Sequence, residues 1–366
     1  MTATQGSEAA RTVPATMVAA RLHARQDLRV DRIPVPAPSA SEALIRVLWC
    51  GICGTDLEEY RDGPVTVPMG TPHPVSGRLA PLTLGHEPVG VIARAAADGS
   101  GPAAGTVVVP DVVSGCGTCW WCRRHDEGQC QRLVVIGQTT DGALAHYLVA
   151  RADRCLPVPD GLAAETAALA EPTAVAVRAL AKLGAAPQAI SSLAVLGGGT
   201  IGQLVARVAR SLGCRSVTLV DPVPERRRLA ERTGIGTVHP SELARFAATL
   251  PEPGLDAAIE CTGRPGVIAD ALRSVRRGGE VVALGLRAAL DTFQLDDFVL
   301  GEKRLIGSAA HMWDTDLASA LDLLASGRLS VDGLITHRIP LAQTTDALEL
   351  LGDTRSGAVK VLVDCS

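Results

Sequence analysis

Between residues 172 and 307 the chain alternates continuous apolar runs with amphipathic stretches of helical period, and this alternation constrains the fold more than any other feature. The order is LAVLG, a helix over IGQLVARVARSLG, SVTLVD, PERRRLAERTG, LDAAIECTG, a helical stretch to SVRRGG, and EVVALG. Apolar runs without polar interruption suit strands covered on both faces, and the helices between them supply the cover. The pattern therefore predicts an α/β unit with a doubly wound parallel sheet.

The first of these strands runs into LAVLGGGTIG, which holds G-x-G-x-x-G at Gly197, Gly199 and Gly202 with Thr200 and Ile201 at the mouth of the following helix. Gly197 permits a tight turn, Gly199 lets backbone N–H groups approach a pyrophosphate, and Gly202 lets helix and strand pack closely. The next strand ends at Asp221, nineteen residues beyond Gly202. A carboxylate there accepts hydrogen bonds from an adenosine ribose diol and repels a 2′-phosphate, so NAD is expected over NADP. Two observations pull the other way. With Pro222 next to it, Asp221 is also placed to cap the following helix, and Arg226 flanks the site as arginines do where NADP is accepted.

From residue 17 to about 170 the text changes to short apolar runs broken by Gly, Pro and Asp: ALIRVLWC, PVGVIARA, GTVVVPDVV and ALAHYLVA. These read as strands of an irregular, largely antiparallel β domain. Residues 1–16 carry no periodic pattern and are expected to form a loose tail. After residue 307 come one helix, TDLASALDLLASG, and a last strand, AVKVLVD, which is expected to pair with the first domain. The resulting division is 1–171 and 308–366 for the β domain and 172–307 for the inserted nucleotide domain. A length of 366 residues suits two such units, and with only 2% aromatic residues their cores must be aliphatic.

Cys116, Cys119, Cys122 and Cys130 form C-x2-C-x2-C-x7-C in GCGTCWWCRRHDEGQC. Four soft donors on one short segment match a tetrahedral zinc site, with a disulfide pair or reactive thiols as the alternative. Cys50, Cys155, Cys214, Cys261 and Cys365 stand singly and are expected to be mostly buried small hydrophobes. The balance of 35 basic and 39 acidic residues leaves no basic stripe for a nucleic acid. Neither a secretory leader pattern nor a run of about 18 apolar residues is present, so a cytoplasmic protein that does not engage a membrane is expected.

Three further features lie apart: GICGTD with Cys53, TLGHEPVG with His86 and Glu87, and ALAEPTAV with Glu171. Taken together and in this order with the cysteine quartet and the glycine turn, they resemble the zinc-dependent medium-chain alcohol and polyol dehydrogenases over residues 17–366. CGTDLEEYRDGP, TVPMGTPHPVSGRLAPLTLGHE and LAEPTAVAVRAL bring the chain nearest the butanediol dehydrogenase type. The resemblance implies a GroES-like irregular β-barrel catalytic domain with an inserted Rossmann domain, one catalytic and one structural zinc per chain, and a homodimer or homotetramer. It implies Cys53, His86 and Glu171 as ligands of the catalytic zinc, with Glu87 as an exchangeable or supporting carboxylate.

It also implies oxidation of a small alcohol, or reduction of the ketone, with hydride passing to or from NAD. The proton leaves through Thr55, and Asp56 orients His86. Where the family commonly ends this relay in histidine, the chain has Glu58, whose ordinary pKa near 4.3 suits the task poorly. A vicinal diol or polyol is the expected substrate, with a larger specialised alcohol as the alternative. A regulatory protein that kept the fold without the catalysis is the reading from another class, but such a protein would be expected to have lost Cys53, His86 or Glu171.

Overall fold

The computed structural model describes residues 13–286 and 292–366. A six-stranded, wholly parallel sheet forms from Leu193–Leu196, Val217–Val220, Gly236–Val238, Leu255–Glu260, Val275–Ala283 and Arg304–Gly307. Numbered in chain order, the strands lie 3-2-1-4-5-6, the doubly wound Rossmann arrangement, with the switch point beside the first strand. The apolar run LAVL is buried at every position because helices cover both faces. The helix Thr200–Ser211 buries Leu204, Val205 and Val208 against it, each worth roughly 1.5–3 kcal/mol of apolar transfer.

The other large sheet has seven strands. Cys155–Pro157, Val107–Pro110, Glu87–Arg94, Glu42–Gly51, Lys360–Asp364 and Ile335–Pro340 follow one another, and Tyr147–Arg151 also pairs with Glu42–Gly51. The expected closing strand is there: Lys360–Asp364 runs antiparallel to Glu42–Gly51, with Leu362 opposite Gly51 and Val363 opposite Cys50. This is the GroES-like unit, and the chain leaves it and returns to it around the parallel sheet. Thr16–Ala24, Asp27–Pro34 and Leu82–Thr83 make a smaller sheet alongside.

Several elements were not legible in the sequence. Gly236–Val238 and Arg304–Gly307 are edge strands with too little apolar text to stand out, and Ile335–Pro340 pairs parallel to the closing strand. The expected loose tail lies outside the described residues up to 12, while Thr16 already belongs to the first strand and Val13 packs beside Met17. Beyond residue 307, the helix Ala318–Ala325 sends Leu321, Leu323 and Leu324 into the same core as Leu193 and Leu204. Among the described residues no helix is long and apolar enough to cross a membrane.

Candidate active site

The strand Glu42–Gly51 delivers the chain to Cys53, which opens the helix Gly54–Asp62 as its N-cap residue. Asp56, in the first turn, accepts the Cys53 N–H at 2.9 Å through Oδ2 and the Gly85 N–H at 3.3 Å through Oδ1. The same Oδ1 lies 3.3 Å from His86 Nδ1, within ion-pair distance but without hydrogen-bond alignment. One buried carboxylate thus holds the Cys53 backbone and lies against the His86 ring, a placement suited to orienting the imidazole.

Cys53, His86 and Glu87 bring one ligand atom each within 4.8 Å of one another. Thiolate, imidazole and carboxylate are the donor types zinc accepts, so the group fits that ion. Burial depresses the pKa of His86, but Asp56 and Cys53 outweigh it and hold the pKa well above the usual value. Glu171, on the helix Ala170–Ala181, is not part of this compact trio. It lies close enough for its charge to act on Glu87, while its Oε1 stands 3.4 Å from His311 Nδ1. The geometry therefore groups the acid expected to support the site with Cys53 and His86, and leaves the acid expected to bind beside them.

The Thr55 hydroxyl lies 3.3 Å from His86 Nε2 and accepts a 3.5 Å hydrogen bond from Gln138 Nε2. Glu58 is half-buried on the same helix. Its neighbour Glu59 takes a structural part, binding the N–H groups of Val65 and Val67 and ordering the segment that follows.

Sequence reasoning passed over two buried cations. Lys360 is 0% exposed, and its Nζ donates to the Glu87 carboxylate and, at 3.0 Å, to the Ile52 carbonyl. Burial lowers the pKa of this lysine, but Glu87 and Cys53 outweigh that and the net direction is up. For Glu87 burial pushes up and the ammonium pulls back, and the net direction is again up. We read the pair as charged, because the ammonium has the carboxylate and a carbonyl to itself. Gly51 makes room for it, since a Cβ there would come within 1.9 Å of Glu87 Oε2. The available signal was a lysine inside the apolar strand text AVKVLVD. His311, the second cation, has Asp111 Oδ1 at 3.1 Å from Nε2 as well as Glu171 beside Nδ1. Burial opposes its charge, but the two carboxylates hold its pKa at about 9.

The four cysteines of the second cluster also lie within 4.8 Å of one another. Cys119 and Cys130 sulfurs are 3.8 Å apart, and Cys119 and Cys122 sulfurs 3.4 Å. A zinc tetrahedron with bonds of about 2.3 Å has edges of about 3.8 Å, so the lobe has the right span. Hydrogen bonds from Thr118 bring Cys116 down to about 5, while burial pushes Cys122 up to about 12. All ten cysteines are free thiols, and Cys50, Cys155, Cys214 and Cys365 are buried as expected, with Cys261 partly so.

At the switch point of the parallel sheet a cavity of about 510 Å³ is lined by Gly197, Gly199, Asp221, Arg226, Thr262 and Arg264, among others. Gly197 has φ of 105°, and a Cβ on Gly202 would stand 1.7 Å from the Gly197 carbonyl oxygen. Gly197 thus takes a left-handed turn, and Gly202 lies in close contact with the strand end. Gly199 is the N-cap of a twelve-residue helix, whose first N–H groups favour an anion. The Thr200 hydroxyl instead donates to the Val359 carbonyl at 2.5 Å, tying the glycine turn to the closing segment, and Ile201 packs against the sheet core.

Asp221 does not cap the following helix, whose N-cap is Val223. Its Oδ2 accepts the Gly198 N–H at 2.6 Å, its Oδ1 accepts the Val223 N–H at 2.7 Å, and Arg226 lies 3.6 Å from Oδ2. The carboxylate thus braces the glycine turn from the end of the second strand, and Asp221 is among the residues lining the cavity.

Residues 39–160 match the alcohol dehydrogenase GroES-like domain, and residues 200–326 match the zinc-binding dehydrogenase domain. The chain is 33% identical to (R,R)-butanediol dehydrogenase of Bacillus subtilis across 89% of this chain and 93% of that one. The crystal structure of 2R,3R-butanediol dehydrogenase from Bacillus subtilis superposes with a TM-score of 0.87 at 30% identity, covering 95% of this chain and 99% of its own. A putative zinc-binding dehydrogenase from Sinorhizobium meliloti 1021, bound to NADP, does so with a TM-score of 0.85 at 30% identity, covering 96% and 100%. Agreement over nearly the whole length, on top of a cysteine quartet, a Cys/His/Glu cluster and a glycine turn, makes this chain a member of the zinc-type medium-chain alcohol dehydrogenase family.

Proposed function

We propose that the chain oxidises a small secondary alcohol, most readily a vicinal diol or polyol such as 2,3-butanediol, with NAD as hydride acceptor, and runs the reverse reduction of the hydroxyketone. The observation that carries this reading is the meeting of Cys53, His86 and Glu87, with Glu171 beside them, in a chain that also holds a dinucleotide-sized cavity. A zinc ion held there supplies a Lewis acid that lowers the pKa of a hydroxyl and polarises a carbonyl.

The chain's own groups do the rest. Cys53 and His86 are ligands in either arrangement, and Glu171 and Glu87 are the two carboxylates available to complete the set. Both are hard oxygen donors, which favours a site friendly to hydroxyl groups. Asp56 holds His86 in place. As the alcohol carbon gives up its hydride, Thr55 Oγ1, placed between His86 and Gln138, takes the hydroxyl proton while releasing its own outward toward solvent, with Glu58 one helical turn further on. Cys116, Cys119, Cys122 and Cys130 hold a second, structural zinc.

The Asp221 carboxylate at the cavity favours NAD by repelling a 2′-phosphate, and Arg226 beside it tempers that preference. We assign 1–171 and 308–366 to the catalytic domain and 172–307 to the NAD-binding domain. Leu295, Val299, Leu300 and Leu305 are exposed on and beside the edge strand Arg304–Gly307, and this face suits pairing with a second copy in a homodimer or homotetramer. Ten free thiols suit the reducing cytoplasm.

The test compares 2,3-butanediol with 2-butanol under NAD⁺, following NADH absorbance. A second hydroxyl that orients the reacting carbon raises kcat/KM for the diol by tenfold or more, about 1.4 kcal/mol. Equal values for the two, or rapid turnover only of a bulky cyclic alcohol, would remove the diol assignment in favour of a larger specialised substrate.

A further inference from the structure

Behind Glu171 runs a line of charged groups that the chemistry above does not use. Glu171 Oε1 lies 3.4 Å from His311 Nδ1, and His311 Nε2 lies 3.1 Å from Asp111 Oδ1. Asp111 Oδ2 accepts from Arg154 Nη1 at 3.4 Å, and Arg154 Nη2 donates to Glu127 Oε1 at 2.7 Å. Glu127 stands inside the four-cysteine lobe, between Cys122 and Cys130. Its Oε2 accepts the Gly115 N–H at 3.1 Å, directly before Cys116. Acid and base alternate from one cysteine-bearing site to the other, hydrogen-bonded from His311 onward and in ion-pair proximity at Glu171. Glu171, His311, Asp111 and Arg154 are all buried.

Such a line costs desolvation, and apolar side chains would join the two regions more cheaply. Its geometry does something they cannot. The imidazole lies between two carboxylates, hydrogen-bonded to Asp111 at Nε2 and within ion-pair distance of Glu171 at Nδ1 without hydrogen-bond alignment, so the ring edge that faces Glu171 is set from behind by Asp111. Asp111 is in turn held by Arg154 and by the Val113 N–H at 3.1 Å. The far end of the line is anchored on the lobe, whose shape depends on its four thiols.

We propose that His311 is a positioning residue for Glu171, and that the line through Asp111, Arg154 and Glu127 makes the place of that carboxylate depend on the four-cysteine lobe. The proposal rests on the reading of Glu171 as a carboxylate of the catalytic metal site. It goes beyond that reading in making the lobe a determinant of the site's affinity rather than a separate staple.

The experiment replaces the metal at the Cys53/His86 site with Co²⁺ in the full-length protein, keeping zinc in the lobe. It records the visible cobalt spectrum and the Co²⁺ affinity against a competing chelator. Glu127→Gln and His311→Gln are compared with Glu171→Gln, and lobe zinc content and far-UV circular dichroism report on folding. His311→Gln should weaken Co²⁺ by about tenfold or more, the usual effect of losing a group behind a ligand, and shift the spectrum toward that of Glu171→Gln. Glu127→Gln, remote from every catalytic-site ligand, should shift it in the same direction by a smaller amount with the lobe zinc retained. Arg154→Lys, which keeps the charge, should stay nearer the wild type than Arg154→Met.

A changed spectrum in Glu171→Gln with unchanged spectra and affinities in His311→Gln and Glu127→Gln would overturn the proposal while leaving the site intact. An unchanged spectrum in Glu171→Gln would overturn both. Should His311→Gln fail to fold, Glu127→Gln and the Arg154 pair decide the matter alone.

Discussion

Lys360→Met removes the ammonium beneath the candidate metal site and leaves Glu87, 1% exposed, without its cation. Two routes are open to the stranded carboxylate, and they bound the cost from different directions. If it stays ionised, breaking a buried pair costs about 3–5 kcal/mol. If it takes up a proton instead, neutralising a carboxyl of ordinary pKa at pH 7 costs about 1.36 kcal/mol for each of some 2.5 units, or about 3 kcal/mol. The metal-free variant should therefore be less stable than metal-free wild type by about 3 kcal/mol at pH 7.

The pH dependence follows from the second route. In the variant, Glu87 has a folded-state pKa raised far above its unfolded value. The stability tied to its protonation is present below about 4.5 and is lost as pH rises through the folded value. The gap from wild type should shrink to under about 1 kcal/mol at pH 5. Urea melts of chelator-treated proteins measure it, since about 3 kcal/mol moves the midpoint by about 1 M for a chain of this size. The same gap at both pH values would show that the lost lysine acted through packing, and no gap at pH 7 would show that the pair is not charged.

Gly202→Ala should abolish dinucleotide binding and lower stability by about 2–4 kcal/mol, because its Cβ would meet the Gly197 carbonyl oxygen, which is backbone and cannot swing aside. Fluorescence titration with NADH checks the first part and thermal melting the second, and near-native binding would refute the close approach. Asp221→Ser should move the cofactor ratio toward NADP⁺ and, by releasing the Gly198 and Val223 N–H groups, loosen the glycine turn. The kcat/KM values for NAD⁺ and NADP⁺ check it, and a wild type that already prefers NADP⁺ would give the cavity's arginines the leading part.

The parts of this molecule that could be read from its sequence are those in which one local run of residues has one physical job. LAVLGGGTIG must be a strand, a turn and a helix start, since Gly197 takes a φ open to glycine and Gly202 sits against a carbonyl. The cysteine quartet lies within 15 residues and reads as a unit. What could not be read joins residues far apart. Lys360 meets Glu87 across 273 positions, and His311 meets Asp111 across 200. The same distance hid the difference between the two carboxylates: both follow from motifs, but only the fold puts Glu87 in the trio with Cys53 and His86 and ties Glu171 to His311. Asp221 was legible as a site residue, yet its second task of bracing Gly198 depends on a turn formed 23 residues earlier.

The measurement that bears most directly on the account is a zinc count paired with turnover. It is made on wild type, His86→Ala and Cys119→Ser, after removal of loosely held metal. Wild type should hold two zinc ions per chain. His86→Ala should hold one, stay folded and lose NAD⁺-linked alcohol oxidation. Cys119→Ser should lose the lobe zinc and with it stability. One zinc in the wild type, or undiminished turnover in His86→Ala, would contradict the catalytic site described for this chain.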